Sequence, residues 1–167
     1  MSGQQSTSTS QKTARKAGVP AIPKGFHTVT PYLMIDGAAK FIEFATRAFG
    51  AKAGEKMQGP DGKIGHAELI IGDSHLMLSD AMGEHKAMPV MLYLYVEDAD
   101  AVFQRAIAAG ATSVREVRDE FYGDRAGAVR DFAGNTFWIA THIEDVPREE
   151  LQRRSQEAMK QMKQSKH

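Results

Sequence analysis

Aliphatic Leu and Val residues alternate strictly with Met and Tyr residues along 91–96, as expected for a β-strand with two different faces. The two faces are Leu92, Leu94 and Val96 on one side, and Met91, Tyr93 and Tyr95 on the other. Apolar residues at helical spacing follow from Ala99 to Ala109. A similar stretch begins 61 residues earlier, at 30–37 (TPYLMIDG), and a helical run follows it too. The chain is therefore predicted to contain two copies of one unit.

Each copy is predicted to contain a strand, a helix and three further strands. In the first copy, Pro31 marks an edge or a bulge of the first strand (27–35), Asp36 can cap the helix, and Gly50 ends it. The helix is predicted from the spacing of Phe41, Phe44, Ala45, Ala48 and Phe49. Turns at 59–62 (GPDG) and 72–74 (GDS) separate the later strands, predicted at 64–71 and 75–79.

The second copy has the same order of elements. After its helix we expect a short strand at 113–117, a loop at 121–127, a short strand at 128–130 and a last strand at 135–142. The predicted domains are a disordered polar tail with an extended lead-in (1–25), a first module (26–80), a connector (81–89), a second module (90–142) and a C-terminal amphipathic helix (143–167).

The composition narrows the classes of function. Lysine plus arginine equal aspartate plus glutamate at 21 each, so no overall field favours nucleic acid or a membrane surface as partner. The chain has no cysteine, which excludes disulfides, thiolate metal sites and cysteine nucleophiles. No apolar run approaches the roughly 20 residues of a membrane span. We therefore expect a cytoplasmic protein with neither nucleic-acid nor membrane partners.

Two units with this signature resemble the vicinal oxygen chelate superfamily, also called the glyoxalase/bleomycin-resistance/dioxygenase superfamily. Four stretches are similar to its PhnB-like branch: PYLMIDGAAKFIEF, MQGPDGKIGHAELIIGDSHLMLSD, LYVEDADAVFQRAIAAGA and FYGDRAGAVRDFAGNTFWIATH. The resemblance implies an α+β fold. In it, two tandem βαβββ modules form a cupped, half-barrel mixed sheet with helices outside, followed here by a C-terminal helix. It also implies a homodimer and a small-molecule ligand in the cleft.

Catalytic members of that superfamily hold a divalent metal with His near the start of each first strand and Glu in each fourth strand. Imidazole and carboxylate suit a Lewis-acidic metal that polarises neighbouring oxygens. The matching positions here are Thr30 and Met91 in the first strands, and Leu76 and Trp138 in the fourth strands. These side chains cannot form that site. The resemblance therefore implies neither a metal cofactor nor a glyoxalase or dioxygenase of the usual metal-dependent type.

His66 and Glu68 could carry chemistry instead, because they share one face of the strand 64–71. They could act as a base and its orienting partner, or bind a metal with a third ligand. The alternative is a polar pair at the cavity rim whose members satisfy each other. By the repeat, Glu68 is expected to correspond to Arg130.

Arginines and aromatic residues complete the predicted ligand-binding set. Arg125 and Arg130 could hold an anionic group, although Arg125 could instead pair with Asp124 or Glu120 and fix the loop. Flat faces for a planar ligand are offered by Tyr93, Tyr95 and Trp138, with Tyr32 on the equivalent face of the first module. The alternative for these rings is an aromatic core or a dimer contact.

Three hypotheses follow. The first is a binding protein without the usual metal ligands, whose cleft holds a small aromatic or anionic molecule. The second is a lyase or isomerase-type enzyme of the same superfamily that uses His66 and Glu68, with or without a divalent metal. The third is that the aromatic cleft is closed as a dimer interface.

Overall fold

The computed structural model describes residues 15–164, except for the side chains of residues 162 and 163. Residues 1–14 of the predicted tail lie outside this range. The elements are β1 (Tyr32–Ile35), α1 (Ala38–Phe49), β2 (Lys52–Gln58), β3 (Ile64–Ile71), β4 (Ser74–Asp80), β5 (Met91–Tyr95), α2 (Ala99–Ala108), β6 (Thr112–Asp119), β7 (Asp124–Arg130), β8 (Thr136–His142) and α3 (Arg148–Gln164). The α+β class, the repeated βαβββ order and the C-terminal helix are confirmed.

The two modules form two open, four-stranded mixed sheets. The strand order is β1-β4-β3-β2 in the first and β5-β8-β7-β6 in the second. In each sheet the first strand runs parallel to the fourth, and the other pairs are antiparallel. Among the described residues, no strand of one sheet pairs with a strand of the other. Within residues 15–164, the outer edge of β5 therefore has no strand partner, and the outer edge of β1 accepts one hydrogen bond from the connector, from the Met88 amide to the Met34 carbonyl at 3.2 Å.

One apolar core joins the two modules. The inner faces of the first strands point to the helices as predicted, since Leu33 and Ile35 are each only 1% exposed. Helix α1 lies against α2, and the Phe137 ring of β8 contacts three rings of α1, those of Phe41, Phe44 and Phe49. Burial of such side chains contributes about 1.5–3 kcal/mol each. The helix-covered faces of both sheets thus belong to one folding unit.

The first strand is shorter than predicted. It begins at Tyr32 rather than at residue 27, and Val29 is 83% exposed instead of facing the core. The Thr30 hydroxyl donates to the His27 carbonyl at 3.0 Å, which holds this segment as a turn. Pro31 has no amide to donate, but its carbonyl accepts from Met77 at the strand's start.

The predicted cap of α1 is wrong. Asp36 is exposed, and the residue before the helix is Gly37, with φ 90°. The carboxylate of Asp80, at the end of β4, accepts instead from the amides of Gly37, Ala38 and Ile64 at 3.0, 2.9 and 2.7 Å. Partial burial opposes ionisation, but these three donors outweigh it and hold the pKa of Asp80 below its ordinary value of 3.8.

The strands of the second module are longer than predicted. Strand β6 extends on both sides of 113–117, and β7 begins at Asp124, so the predicted loop at 121–127 is wrong in its second half. Glycines at 123 and 127 made this stretch read as a loop. Gly127 is instead a strand residue packed against Val117 and the backbone of Arg115, where a Cβ would lie only 2.8 Å from the nearest atom.

The register of the repeat differs from the prediction at two positions. Tyr32 pairs with Met77 and Tyr93 pairs with Trp138, so Met77, not Leu76, is the counterpart of Trp138. Leu76 lies on the core face and is 4% exposed. Glu68 faces Met77 and Ala128 faces Trp138, so the counterpart of Glu68 is Ala128 rather than Arg130. The loop between β3 and β4 is shorter than the one between β7 and β8, so the turn glycines are not equivalent positions.

Candidate functional site

The face of each sheet that turns away from the helices carries several exposed large apolar residues. Tyr32 and Met57 lie on the first sheet and are 41% and 55% exposed. Met91, Tyr93 and Tyr95 lie on β5 of the second sheet and are 67%, 40% and 64% exposed. The two faces are built from equivalent strands but present different chemistry.

On the second sheet, three side chains form a row across the strands. The rings of Tyr93 and Trp138 are parallel to within 5°, with centroids 6.1 Å apart. The guanidinium of Arg115, on β6, lies 5.4 Å from the centroid of the Trp138 ring. It reaches across Ala128, its pairing partner on β7. We call Tyr93, Trp138 and Arg115 the aromatic platform.

The floor under this platform consists of small residues. Ala126, Ala128 and Ala140 are fully buried, and their strand partners place them on the platform's side of the sheet rather than on the helix side. Because these side chains are only methyl groups, the large side chains beside them can pack flat against the sheet. The platform is therefore a shallow surface bounded by large flat side chains.

A buried carboxylate organises one end of this face. Asp124 is 3% exposed and accepts from the Tyr95 hydroxyl at 2.9 Å and from the Tyr93 hydroxyl at 3.3 Å. Its other oxygen lies 2.8 Å from Nδ1 of His142. The Tyr122 hydroxyl is 3.4 Å from that of Tyr93. We call Tyr93, Tyr95, Tyr122, Asp124 and His142 the Asp124 cluster.

These contacts shift the pKa values of the cluster in directions that follow from charge. Desolvation, the contact with Tyr122 and the nearby Asp124 charge all raise the pKa of Tyr93. The hydrogen bond to Asp124 raises the pKa of Tyr95. Hydrogen bonds to Asp124 and then to Asp145 raise the pKa of His142 above 6.5. At neutral pH both phenols are therefore neutral donors, and the two carboxylates favour the protonated form of His142.

A groove of about 1070 Å³ runs along the open edge of β5. Its lining includes Tyr93, Tyr95 and His142, and His75 and Leu76 of the first module. It also includes helix-side residues, which are Leu92 and Leu94 of β5 and the adjacent Val96. A second, smaller cavity of about 700 Å³ lies between α3 and the loop at Phe121 and Tyr122. Tyr93, Tyr95 and His142 of the Asp124 cluster line the larger groove, and Tyr122 of the same cluster lines the smaller cavity.

On the first sheet, the predicted pair His66 and Glu68 does share one face, together with Tyr32. The Tyr32 hydroxyl lies 3.4 Å from Nδ1 of His66, and Nε2 of His66 lies 3.7 Å from Glu68. Both contacts are longer than an ordinary strong hydrogen bond. This cluster is looser than its counterpart on the second sheet.

The two predicted arginines lie on opposite sides of the second sheet. Arg125 is on the helix side, where it contacts Asp100 of α2 through two nitrogens at 2.6 and 2.7 Å and Asp119 at 2.8 Å. Its partners are thus neither Asp124 nor Glu120. Arg130 is exposed on the platform's side, at the end of β7 away from Asp124. The structure brings Arg130 to the face of Tyr93, Tyr95 and Trp138, and leaves Arg125 outside it.

The donor set at the superfamily's metal positions does not suit a divalent metal. The first-strand positions are Thr30 and Met91, and the corrected fourth-strand positions are Met77 and Trp138. These residues supply a hydroxyl, two thioethers and an indole, none of them a carboxylate or imidazole. Within residues 15–164, no group of three or more His, Asp or Glu side chains has the geometry to hold a metal ion.

Sequence reasoning missed Asp124, His142, Tyr122 and Arg115 as members of one site. Their spacing was the available signal, because residues two apart lie on the same face of a strand. Asp124 is spaced in this way from Ala126 and Ala128, and His142 is spaced in this way from Trp138. The pairing of Asp124 with His142 requires the strand register as well.

The motifs and this fold agree with comparisons to known proteins. Residues 25–139 match the family model of the Glyoxalase/Bleomycin resistance protein/Dioxygenase superfamily. The chain belongs to this superfamily. The resemblance inferred from the motifs is thereby confirmed. An uncharacterized protein from Mycobacterium bovis is 38% identical over 135 residues, which cover 74% of this chain and 89% of the relative.

Solved structures with the same fold include members of the superfamily. TioX from Micromonospora sp. ML1 is 27% identical, with a TM-score of 0.56, covering 69% of this chain and 96% of TioX. A PhnB protein from Bacillus cereus is 16% identical, with a TM-score of 0.55 over 69% of this chain and 99% of that one. At that identity the likeness concerns the fold alone. None of the helices in residues 15–164 is long and apolar enough to cross a membrane.

Proposed function

We propose that this member of the superfamily binds a small molecule with a planar aromatic part on the platform of the second sheet, without the superfamily's usual metal. The observation that carries this proposal is the parallel arrangement of the Tyr93 and Trp138 rings beside the Arg115 guanidinium. Aromatic rings and guanidinium groups both favour stacking with a flat partner, each contact contributing about 0.5–1.5 kcal/mol beyond burial.

Exposure supports the proposal. Tyr93 lies on the edge strand β5 and is 40% exposed, and its hydroxyl is held by Asp124. A ring held in place but uncovered loses little side-chain entropy when a ligand covers it. Rigid aromatic side chains of this kind are efficient binding surfaces.

Charge supports an anionic group on the ligand. Arg130 stands at one end of the platform's face and His142 at the other. A carboxylate or phosphate attached to the aromatic part could be met by either cation. Glu68, whose charge would favour a cationic ligand instead, lies on the other sheet.

The test uses three probes: 1-naphthoate, its neutral amide 1-naphthamide, which has the same size, and the smaller saturated acid cyclohexanecarboxylate. The chain has one tryptophan, so the indole N–H resonance of Trp138 reports directly on the platform. We expect both naphthyl probes to shift this resonance and to raise the melting temperature with concentration, and the cyclohexane compound to do neither. The proposal is wrong if the naphthyl probes leave the resonance unmoved.

A second candidate function is the enzyme that uses His66 and Glu68. It is favoured by one observation, the contact of the Tyr32 hydroxyl with His66, which in turn lies near Glu68 on the same face of the sheet. If a metal binds at His66 and Glu68, metal analysis should find about one tightly bound divalent ion per chain, and His66→Ala should lose it. That result would overturn the metal-free proposal, and its absence would leave His66 without a metal-binding role.

The predicted homodimer remains a proposal. A second copy could cover the unpaired outer edge of β5 and the exposed apolar side chains Met57 and Met91. Light scattering should give twice the chain mass. A monomer at all accessible concentrations would contradict it.

A further inference from the structure

His142 is held between two carboxylates of very different character. Its Nδ1 lies 2.8 Å from Asp124, and its Nε2 lies 3.0 Å from Asp145. The side chain of Asp124 is 4% exposed, whereas that of Asp145 is fully exposed. The two contacts therefore have different roles.

The contact with Asp124 orients the imidazole. Asp124 is also bonded by Tyr95 and lies in a strand, so it cannot move without breaking the cluster. A buried carboxylate on Nδ1 fixes the plane of the ring and favours the imidazolium, which aims an N–H from Nε2 outward. His142 is thus an oriented cationic donor on the rim of the β5 groove.

The contact between Nε2 and Asp145 resembles the contact that the carboxylate of a bound ligand would make. Asp145 lies in the segment between β8 and α3, outside any helix or strand. Exposed ion pairs of this kind contribute little net stability. Another carboxylate reaching Nε2 from the groove could replace it at small cost.

The position of this donor fits the platform. Tyr95 pairs with Ala140 on β8, and His142 is the next residue on the same face, about 7 Å further along the strand. The Tyr93 and Tyr95 rings are neighbours, with centroids 5.2 Å apart. A small aromatic molecule over these rings could extend a carboxylate to His142.

We propose that the ligand is a small aromatic carboxylate whose carboxylate group binds Nε2 of His142 and displaces Asp145, which acts as an internal competitor. The proposal rests on the proposed function, because it assigns the anionic end of the same ligand. It places that end at His142 rather than at Arg130.

The experiment measures the dissociation constants of 1-naphthoate and 1-naphthamide from the shift of the Trp138 indole resonance. The ratio of the two constants is the carboxylate preference. In His142→Gln this preference should fall by at least about fivefold, because a charge-assisted hydrogen bond is lost. In Asp145→Asn it should rise about two- to fivefold, because the competing charge is gone.

Two variants serve as matched controls. Glu149→Gln makes the same charge change as Asp145→Asn, four residues further along at the start of α3, and should leave the preference unchanged. Arg130→Gln removes the rival cation and should also leave it unchanged. His142 and Asp145 are exposed, so both variants are expected to fold, and their melting curves verify this.

The outcomes separate this inference from the proposed function. If both probes bind equally, or if the preference is lost in Arg130→Gln and kept in His142→Gln, the inference is overturned and the aromatic platform stands. An unchanged preference in Asp145→Asn overturns the role of Asp145 as competitor. If neither probe binds, both proposals fail.

Discussion

The two sheets have the same strand order and the same first-strand pattern, yet their exposed faces differ in how firmly their side chains are held. On the first sheet, Tyr32, His66 and Glu68 meet at 3.4 and 3.7 Å around no buried charge. On the second, Asp124 is buried and gathers two phenols and an imidazole at 2.8–3.3 Å. The repeated backbone thus sets the direction of the side chains on both sheets. On the second sheet, a buried carboxylate in addition accepts hydrogen bonds from the neighbouring side chains and holds them in place.

The helix sides of the sheets also differ, and the largest expected effect tests that difference. Phe137 and Leu76 are equivalent core positions, but Phe137 packs on three rings of α1 in the other module. Phe137→Ala should lower the free energy of unfolding by about 3–5 kcal/mol, and Leu76→Ala by about 2–3 kcal/mol. Urea denaturation measures both. Equal losses would mean that Phe137 does not join the modules.

The next effect compares the polar centres of the two faces. Asp124→Asn replaces a buried acceptor by an amide that cannot satisfy the same three donors, and should cost about 2–3 kcal/mol of unfolding free energy. Glu68→Gln, on the looser face, should change it by less than about 0.5 kcal/mol. If the two variants are equally stable, the Asp124 cluster is not the ordered site described here.

Some features of the two sheets can be predicted from the sequence, and others cannot. Strand β5 and helices α1 and α2 follow from strict periodicity, which a single chain displays directly. Position Leu76 was misassigned because the two β-hairpins have loops of different length, so a single turn glycine could not align them. A slip of one residue moves a side chain to the other face.

The Asp124 cluster was harder to foresee. Asp124 follows Gly123 in a stretch that reads as a loop, and its partners Tyr95 and His142 lie 29 and 18 residues away. Their meeting depends on the pairing of three strands. Asp80 was missed as the cap of α1 for the same reason, since its contacts with Gly37 and Ala38 span 43 and 42 residues.

A smaller effect is expected at the helix starts. Asp80→Asn should lower the free energy of unfolding by about 1–2 kcal/mol, because one carboxylate accepts hydrogen bonds from three amides. Asp98→Asn at the start of α2 should be nearly neutral, since Asn caps one amide as well as Asp does.

The Asp80 comparison has a pH dependence with a definite sign. The folded pKa of Asp80 lies below 3.8, so its stabilisation is complete above pH 3.8 and is lost as the pH falls through the folded pKa. The difference in unfolding free energy between the native chain and Asp80→Asn should therefore shrink only in acid. A gap that stays constant down to pH 2 would contradict this assignment.

The smallest effect concerns His142. Its folded pKa is raised by Asp124 and Asp145, so its contribution to stability is fully present below pH 6.5 and disappears as the pH rises through the folded value. In thermal melting, His142→Gln should have a lower melting temperature than the native chain at pH 6 and the same melting temperature at alkaline pH. The groups that face the ring are Asp124 of β7 and Asp145, with Tyr95 of β5 bonded to the same Asp124. In an Asp124→Asn background the pH-dependent difference should diminish.

One matched pair of variants tests the central claim that the second sheet, and not the first, presents the ligand-binding face. Tyr93→Leu and Tyr32→Leu make the same change at equivalent strand positions. Calorimetric titration with 1-naphthoate should show about tenfold weaker binding for Tyr93→Leu, in line with the loss of a stacked ring. Tyr32→Leu should bind within about twofold of the native chain, since a change away from the platform alters binding by less than about 0.5 kcal/mol. Equal losses in both variants, or a loss only in Tyr32→Leu, would contradict the account.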